Sequence, residues 1–255
     1  TREGRAPYLR LATLSRFDGE VWRPDRGAQR RLEDGFGAPP WSEDITTDEQ
    51  TTSIRVLGVS SPLLPVPYAA SSVDGVGEGW SAMLENQTVM SGTQDAVGAD
   101  YTVISSAPEP TLEEIRATTA EPSTLPYDPE LPAVIAETAR EVTAEAETDY
   151  DRMLALQDWF RAEFSYSLDA PVEDGFDGTG ADAVVRFLEE RTGYCVHFAG
   201  AFALMARSLD FEVRIVVGYL PGTSTGEKRG DDNLYAVTSD QLHSWPEVRF
   251  ADVGW

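Results

Sequence analysis

Gly193-Tyr194-Cys195-Val196-His197-Phe198-Ala199 marks a passage from loop into helix, and it holds the single cysteine of this 255-residue chain. A glycine closes the preceding segment, and the apolar positions that follow recur with helical spacing through Phe202, Met205 and Leu209. Downstream the period changes from helical to two. Val213, Ile215 and Val217 alternate with Arg214 and Val216 as a strand ending at Gly218-Tyr219, and His243-Ser244-Trp245-Pro246-Glu247-Val248 opens another. A helix headed by the cysteine and antiparallel strands bearing a remote histidine make an α+β layout.

That placement carries chemistry. A thiolate is the nucleophile, and an ordinary cysteine is mostly protonated at neutral pH. The unpaired N–H groups and the dipole of a helix start favour an anion there. A histidine within hydrogen-bond reach takes the thiol proton and later returns it to a leaving group. Cys195 and His243 are therefore the candidate catalytic pair. The competing reading of Cys195 is an inert, buried core residue. His197 follows the cysteine by two helix positions and points to a different face, so it is read as a packed or substrate-side group rather than the proton acceptor. One cysteine and two histidines lack the paired-ligand spacing of a structural zinc site, and no cofactor is expected.

Upstream of this core, residues 1–108 read as a β-rich N-terminal domain. Leu9-Arg10-Leu11-Ala12-Thr13-Leu14 alternates, Asp18-Gly19 signals a turn before Trp22, and 51–57 and 100–105 are further strand candidates. Pro39-Pro40 and the prolines of 62–67 punctuate loops or edges. Residues 109–132 form a proline-bearing connector with one short helix at 111–118. The core, 133–255, opens with two helical stripes: Val134, Ile135, Ala139 and Val142 after Pro132, then Met153, Leu156, Trp159 and Phe160 after a Thr148/Asp151 cap. A third helix spans Ala181–Glu190, with Gly193 as its C-terminal glycine signal. Strands are also expected at 234–238 and 245–250.

Composition sets outer bounds. Hydrophobic residues at 41% and charged ones at 25% suit a folded chain with a sizeable core. The 44 acidic residues against 20 basic ones leave a net charge of −24, which repels phosphate backbones, so nucleic acid is not expected as a partner. Neither Asp231-Asp232 nor Glu173-Asp174 with Asp177 has a calcium-loop pattern. Lys228 is the one lysine; arginine carries the remaining positive charge, as a GC-rich genome would produce. No run reaches the ~18–20 apolar residues that cross a bilayer. The start at Thr1 reads as that of an excised or processed domain.

The ordered series from Gly193 through Met205-Ala206-Arg207, 213–219, 243–248 and Val253-Gly254-Trp255 resembles the bacterial transglutaminase-like core. The resemblance extends to Phe187-Leu188-Glu189-Glu190-Arg191 and, upstream, to Tyr8-Leu9-Arg10, Phe17-Asp18-Gly19 and Trp22, as in TgpA-like membrane proteins. It implies a papain-like Cys–His–Asp/Glu triad working through an acyl-enzyme. Cys195 would attack a carboxamide such as a glutamine side chain, with His243 as general base and acid and the N–H of Cys195 in the oxyanion hole. The partners implied are a protein or peptide substrate and an amine acceptor, with water as acceptor in the alternative of a peptidase or amidase. A non-catalytic cell-envelope binding or scaffolding domain is the third reading. Tyr194 and Trp245 flank the pair and are read as substrate-channel or packing residues. In this family the third triad member follows the Gly-Trp pair, so it is expected beyond Trp255, and Asp252, which precedes the pair, is not assigned that role. The resemblance also implies an extracytoplasmic domain of a membrane-anchored parent.

Overall fold

The computed structural model describes residues 6–24, 27–169 and 180–255. The expected acidic loop bearing Glu173, Asp174 and Asp177 lies outside them. The architecture is α+β, with a core of helices on an antiparallel sheet and a β-rich N-terminal region.

The central sheet of the core has four antiparallel strands in the order Leu242–Val248, Val213–Tyr219, Leu9–Phe17 and Trp22–Pro24. The near-continuous apolar run Val213-Arg214-Ile215-Val216-Val217 makes an inner strand, because such a strand is covered on both faces. Val213 and Ile215 face the helices and join their core. Across the sheet Gly218 pairs with His243 and Tyr219 with Leu242. Gly218 has no room for a side chain, since a Cβ would meet the Leu9 carbonyl oxygen at 2.2 Å. The Leu9–Phe17 strand comes from the N-terminal block of the sequence yet is an inner strand of this sheet. Alternation identifies a strand but not its partner, and this one pairs with residues some two hundred positions downstream.

Five helices pack around the sheet: Leu112–Ala117, Ala133–Val142, Asp149–Glu163, Ala181–Glu190 and Cys195–Ser208. Local chemistry sets several starts. Thr111 and Glu114 form a reciprocal capping box, Thr148 accepts the Asp151 N–H at 3.1 Å, and Pro132 precedes the second helix. The cysteine helix is enclosed nearly all round by sheet and helices, so the expected one-sided stripe is not its organising feature. Ala199, Ala201, Ala203, Leu204, Met205 and Ala206 are buried, whereas Phe198, Phe202 and Leu209 are only half-buried. Arg207 ties its far end to the sheet, donating to the carbonyls of Ser15 (2.6 Å) and Val213 (3.2 Å).

Gly193 is not a C-terminal cap. The Ala181–Glu190 helix ends on Arg191, which takes the left-handed conformation itself at φ 53°. Gly193 lies in a short parallel pairing of Thr192–Gly193 with Ser165–Tyr166. A Cβ there would sit 2.8 Å from the Phe187 ring and 2.9 Å from Nδ1 of His197.

The N-terminal region carries two further sheets and its own core, in which Leu64, Ala82, Val89 and Val103 are wholly enclosed. The strands expected at 51–57 and 100–105 are present as Thr47–Arg55 and Asp100–Pro108, paired along their full length. Arg10 and Val66 exchange two backbone hydrogen bonds (2.7 and 3.0 Å), which dock this region against the central sheet. An exposed hairpin, Thr223–Arg229 with Asp232–Ala236, projects between the strand before His243 and the strand that bears it. Its first arm is polar throughout and gives no strand signal in the sequence. Among the described residues no helix is long and apolar enough to cross a membrane.

Candidate active site

Cys195 is the first residue of its helix, preceded by Tyr194 in extended conformation. The approach to it is held from two sides. Ser165 N–H donates to Arg191 O and Ser167 N–H to Gly193 O, both at 2.8 Å, fixing the Thr192–Gly193 strand. From the helix side, Nδ1 of His197 accepts the N–H of Tyr194 at 3.2 Å. The His197 ring is 2% exposed and stacks on Phe187 at 5.9 Å. Its Nδ1 thus serves a backbone donor, and the packed reading of His197 is the one the fold adopts. Tyr194 stands edge-on to it at 4.4 Å.

His243 is the second residue of the Leu242–Val248 strand, at the outer edge of the central sheet. The structure brings it to Cys195. Burial pushes the Cys195 thiol up, but hydrogen bonds from the His243 ring, the Ser244 hydroxyl and the Ser244 backbone outweigh this and lower it to about 7. The thiolate fraction at neutral pH is therefore larger than that of an ordinary cysteine. The Ser244 hydroxyl is buried and makes no hydrogen bond of its own, yet it lies near enough to the sulfur to favour the thiolate. Ser244 lies within the quoted histidine motif, but a serine beside a histidine carries no spacing signal of its own.

Tyr166 is the residue that sequence reasoning passed over. Its ring stacks on both His243 (6.0 Å, 25°) and Phe198 (6.1 Å, 22°), which sets it beside Cys195. The residue remains 54% exposed. Phe164-Ser165-Tyr166 reads only as the end of a helix; the signal available was an aromatic placed just outside the apolar stripe.

Trp245 packs edge-on against Tyr8 at 5.3 Å and donates from Nε1 to Glu247 at 3.3 Å. Glu247 also accepts from Arg214 (Nε 2.8 Å) and Arg10 (3.2 Å). Burial pushes the Glu247 carboxyl up, and the two guanidinium groups override it and hold it below the usual range. The Arg214 guanidinium lies 3.8 Å over the Trp255 ring, and that of Arg10 lies 4.8 Å over Tyr68. This buried cluster anchors the end of the strand remote from His243. Asp252 sits in the turn beyond that same end. The arrangement at Cys195 can deliver a thiolate, exchange a proton through an adjacent imidazole, and offer a helix-start N–H to developing negative charge.

Residues 136–255 match the Transglutaminase-like superfamily, and residues 1–112 match the TgpA N-terminal domain. The uncharacterised protein YebA of Bacillus subtilis is 26% identical over 97% of this chain, and a protein-glutamine gamma-glutamyltransferase of Pseudomonas aeruginosa is 35% identical over 39% of it. The matches span 36% and 14% of those two relatives. In structure the chain is similar to the crystallised periplasmic domain of TgpA from Pseudomonas aeruginosa, with a TM-score of 0.67 and 25% identity over 98% of this chain and 80% of that one.

Proposed function

We propose, from the match of residues 136–255 to the Transglutaminase-like superfamily and of residues 1–112 to the TgpA N-terminal domain, that the chain is the extracytoplasmic domain of a membrane-anchored acyltransferase. The substrate class is a protein or peptide glutamine. The observation that carries this reading is Cys195 at the first position of its helix, with His243 on the edge strand of the central sheet brought beside its sulfur.

The Cys195 thiolate attacks the carboxamide carbon, and the carbonyl oxygen becomes an oxyanion against the Cys195 N–H. The C–N bond then breaks. Protonated His243 gives its proton to the leaving nitrogen, ammonia departs, and a thioester remains. A primary amine adds to the thioester while His243 takes its proton. Collapse of this second intermediate forms the new amide and releases the thiolate. The extracytoplasmic setting is supported by likeness to a periplasmic domain, and the glutamine-directed chemistry by the name of the Pseudomonas relative.

The test is incorporation of a fluorescent primary amine into a glutamine-donor protein by the full-length parent. Incorporation that disappears in Cys195→Ala supports the proposal. Glutamine hydrolysis or peptide cleavage without incorporation assigns water as the acceptor. A Cys195 that resists alkylation near neutral pH, with cellular function intact in Cys195→Ser, assigns a binding or scaffolding role.

A further inference from the structure

We propose that this fold depends on concentrated salt, because its surface carries an excess of carboxylates that dissolved monovalent cations must screen. The chain holds 44 acidic and 20 basic residues, so pairing every arginine and the one lysine still leaves a charge of −24. A GC-rich genome does not account for that excess. It exchanges lysine for arginine and leaves the net charge where it was.

Folding makes the surface more acidic than the composition. Arg10, Arg207 and Arg214 are buried, two of them bonded to Glu247 and the third to backbone carbonyls. Three positive charges thus leave the surface, against the carboxylates of Glu212 and Glu247. Of the exposed arginines, Arg23, Arg31, Arg55, Arg116, Arg152 and Arg191 are already bonded to neighbouring carboxylates. Elsewhere acidic side chains meet one another. Glu137 and Glu141 are exposed one turn apart on the Ala133–Val142 helix, and Glu145 and Glu147 are exposed in the segment that follows. Among the described residues, none of these four has an ion pair.

Like charges at that helical spacing repel, and a large net charge opposes the compact state as a whole. The repulsion reaches about one Debye length, ~10 Å at 0.1 M salt and ~3 Å at 1 M. The folded state gathers the carboxylates on one closed surface, whereas the unfolded chain spreads them apart. Dilute buffer therefore weakens the fold, and brine restores it. On the extracytoplasmic reading, the medium that supplies the cations is the one outside the cell.

The test is thermal unfolding of this chain, followed by tryptophan fluorescence, in sodium chloride from ~0.05 to ~3 M. A fourfold variant, Glu137→Gln with Glu141→Gln, Glu145→Gln and Glu147→Gln, is followed beside it; glutamine keeps the helix propensity of glutamate. The parent midpoint should rise by roughly 10 °C or more, most of it below ~1 M, where the Debye length contracts. In dilute salt the variant should melt roughly 3–8 °C above the parent, and the two curves should converge in brine. Sucrose strengthens burial without screening charge, so it should leave the gap between parent and variant open. A parent midpoint that is flat or falls with salt overturns the inference. Parallel rises in parent and variant overturn it too, since they would assign the effect to apolar burial rather than to charge. A chain that fails to fold at any salt concentration counts against it equally, and none of these outcomes bears on the chemistry of Cys195.

Discussion

Nδ1 of His197 accepts the backbone N–H of Tyr194 at 3.2 Å, closing a loop around the two residues between them, Cys195 and Val196. The histidine thereby supplies an acceptor that a tyrosine at the helix start cannot, and it sets where the first turn begins. The two histidines of this chain divide two tasks: one builds the helix start, the other faces the thiol that the helix start presents.

Replacing His197 tests that division. His197→Ala removes the cap and leaves a void beside Phe187, and we expect a stability loss of roughly 2–4 kcal/mol by chemical denaturation. Under conditions where the variant remains folded, the pH midpoint for alkylation of Cys195 should stay close to that of the parent. A midpoint displaced as far as in His243→Ala would make His197 a partner of the thiol.

The thiol itself should titrate with an alkylation midpoint at about 7. His243 lowers that value by bonding the thiolate, so His243→Ala should move the midpoint upward, to ~8.5 or above, because burial then acts with less opposition. At pH 7 the alkylation rate should fall roughly tenfold or more, the thiolate fraction being the reactive one. An unmoved midpoint would break the proposed pairing.

Ser244→Ala separates thiolate stabilisation from folding. Its buried hydroxyl makes no hydrogen bond within the fold but favours the thiolate, so its loss should shift the alkylation midpoint upward while stability changes by about 1 kcal/mol or less. A large drop in melting temperature with no midpoint shift would assign the hydroxyl to the fold instead.

Glu247→Gln should be the costliest of these changes, at roughly 3–5 kcal/mol near neutral pH, since it leaves Arg10 and Arg214 buried without a counter-charge. The carboxyl is held low in the folded state, so its contribution is present above the ordinary glutamate value of ~4.3 and is lost as pH falls through the folded value. The gap between parent and variant, followed by denaturant unfolding, should therefore be constant from neutral pH to about 5 and narrow below about 4. A gap that persists undiminished in acid would mean that packing, not charge, is what Glu247 supplies.

What could be read along the chain was what neighbouring residues settle among themselves. The Thr111/Glu114 and Thr148/Asp151 caps, the apolar run at 213–217 and the passage from Gly193 into a helix headed by Cys195 are each decided within a few residues. Hydrogen-bond reach and side-chain period are local properties, and they show in local sequence. The resemblance of the ordered motifs placed Cys195 and His243 on helix and strand. Only the tertiary structure put Leu9–Phe17 inside the central sheet, gave Gly193 its close approach to Phe187 and His197, and stacked the Tyr166 ring on His243. Those relations join residues that no local pattern links. They depend on which strand edges meet and which faces close over one another, and that is decided when the whole core packs.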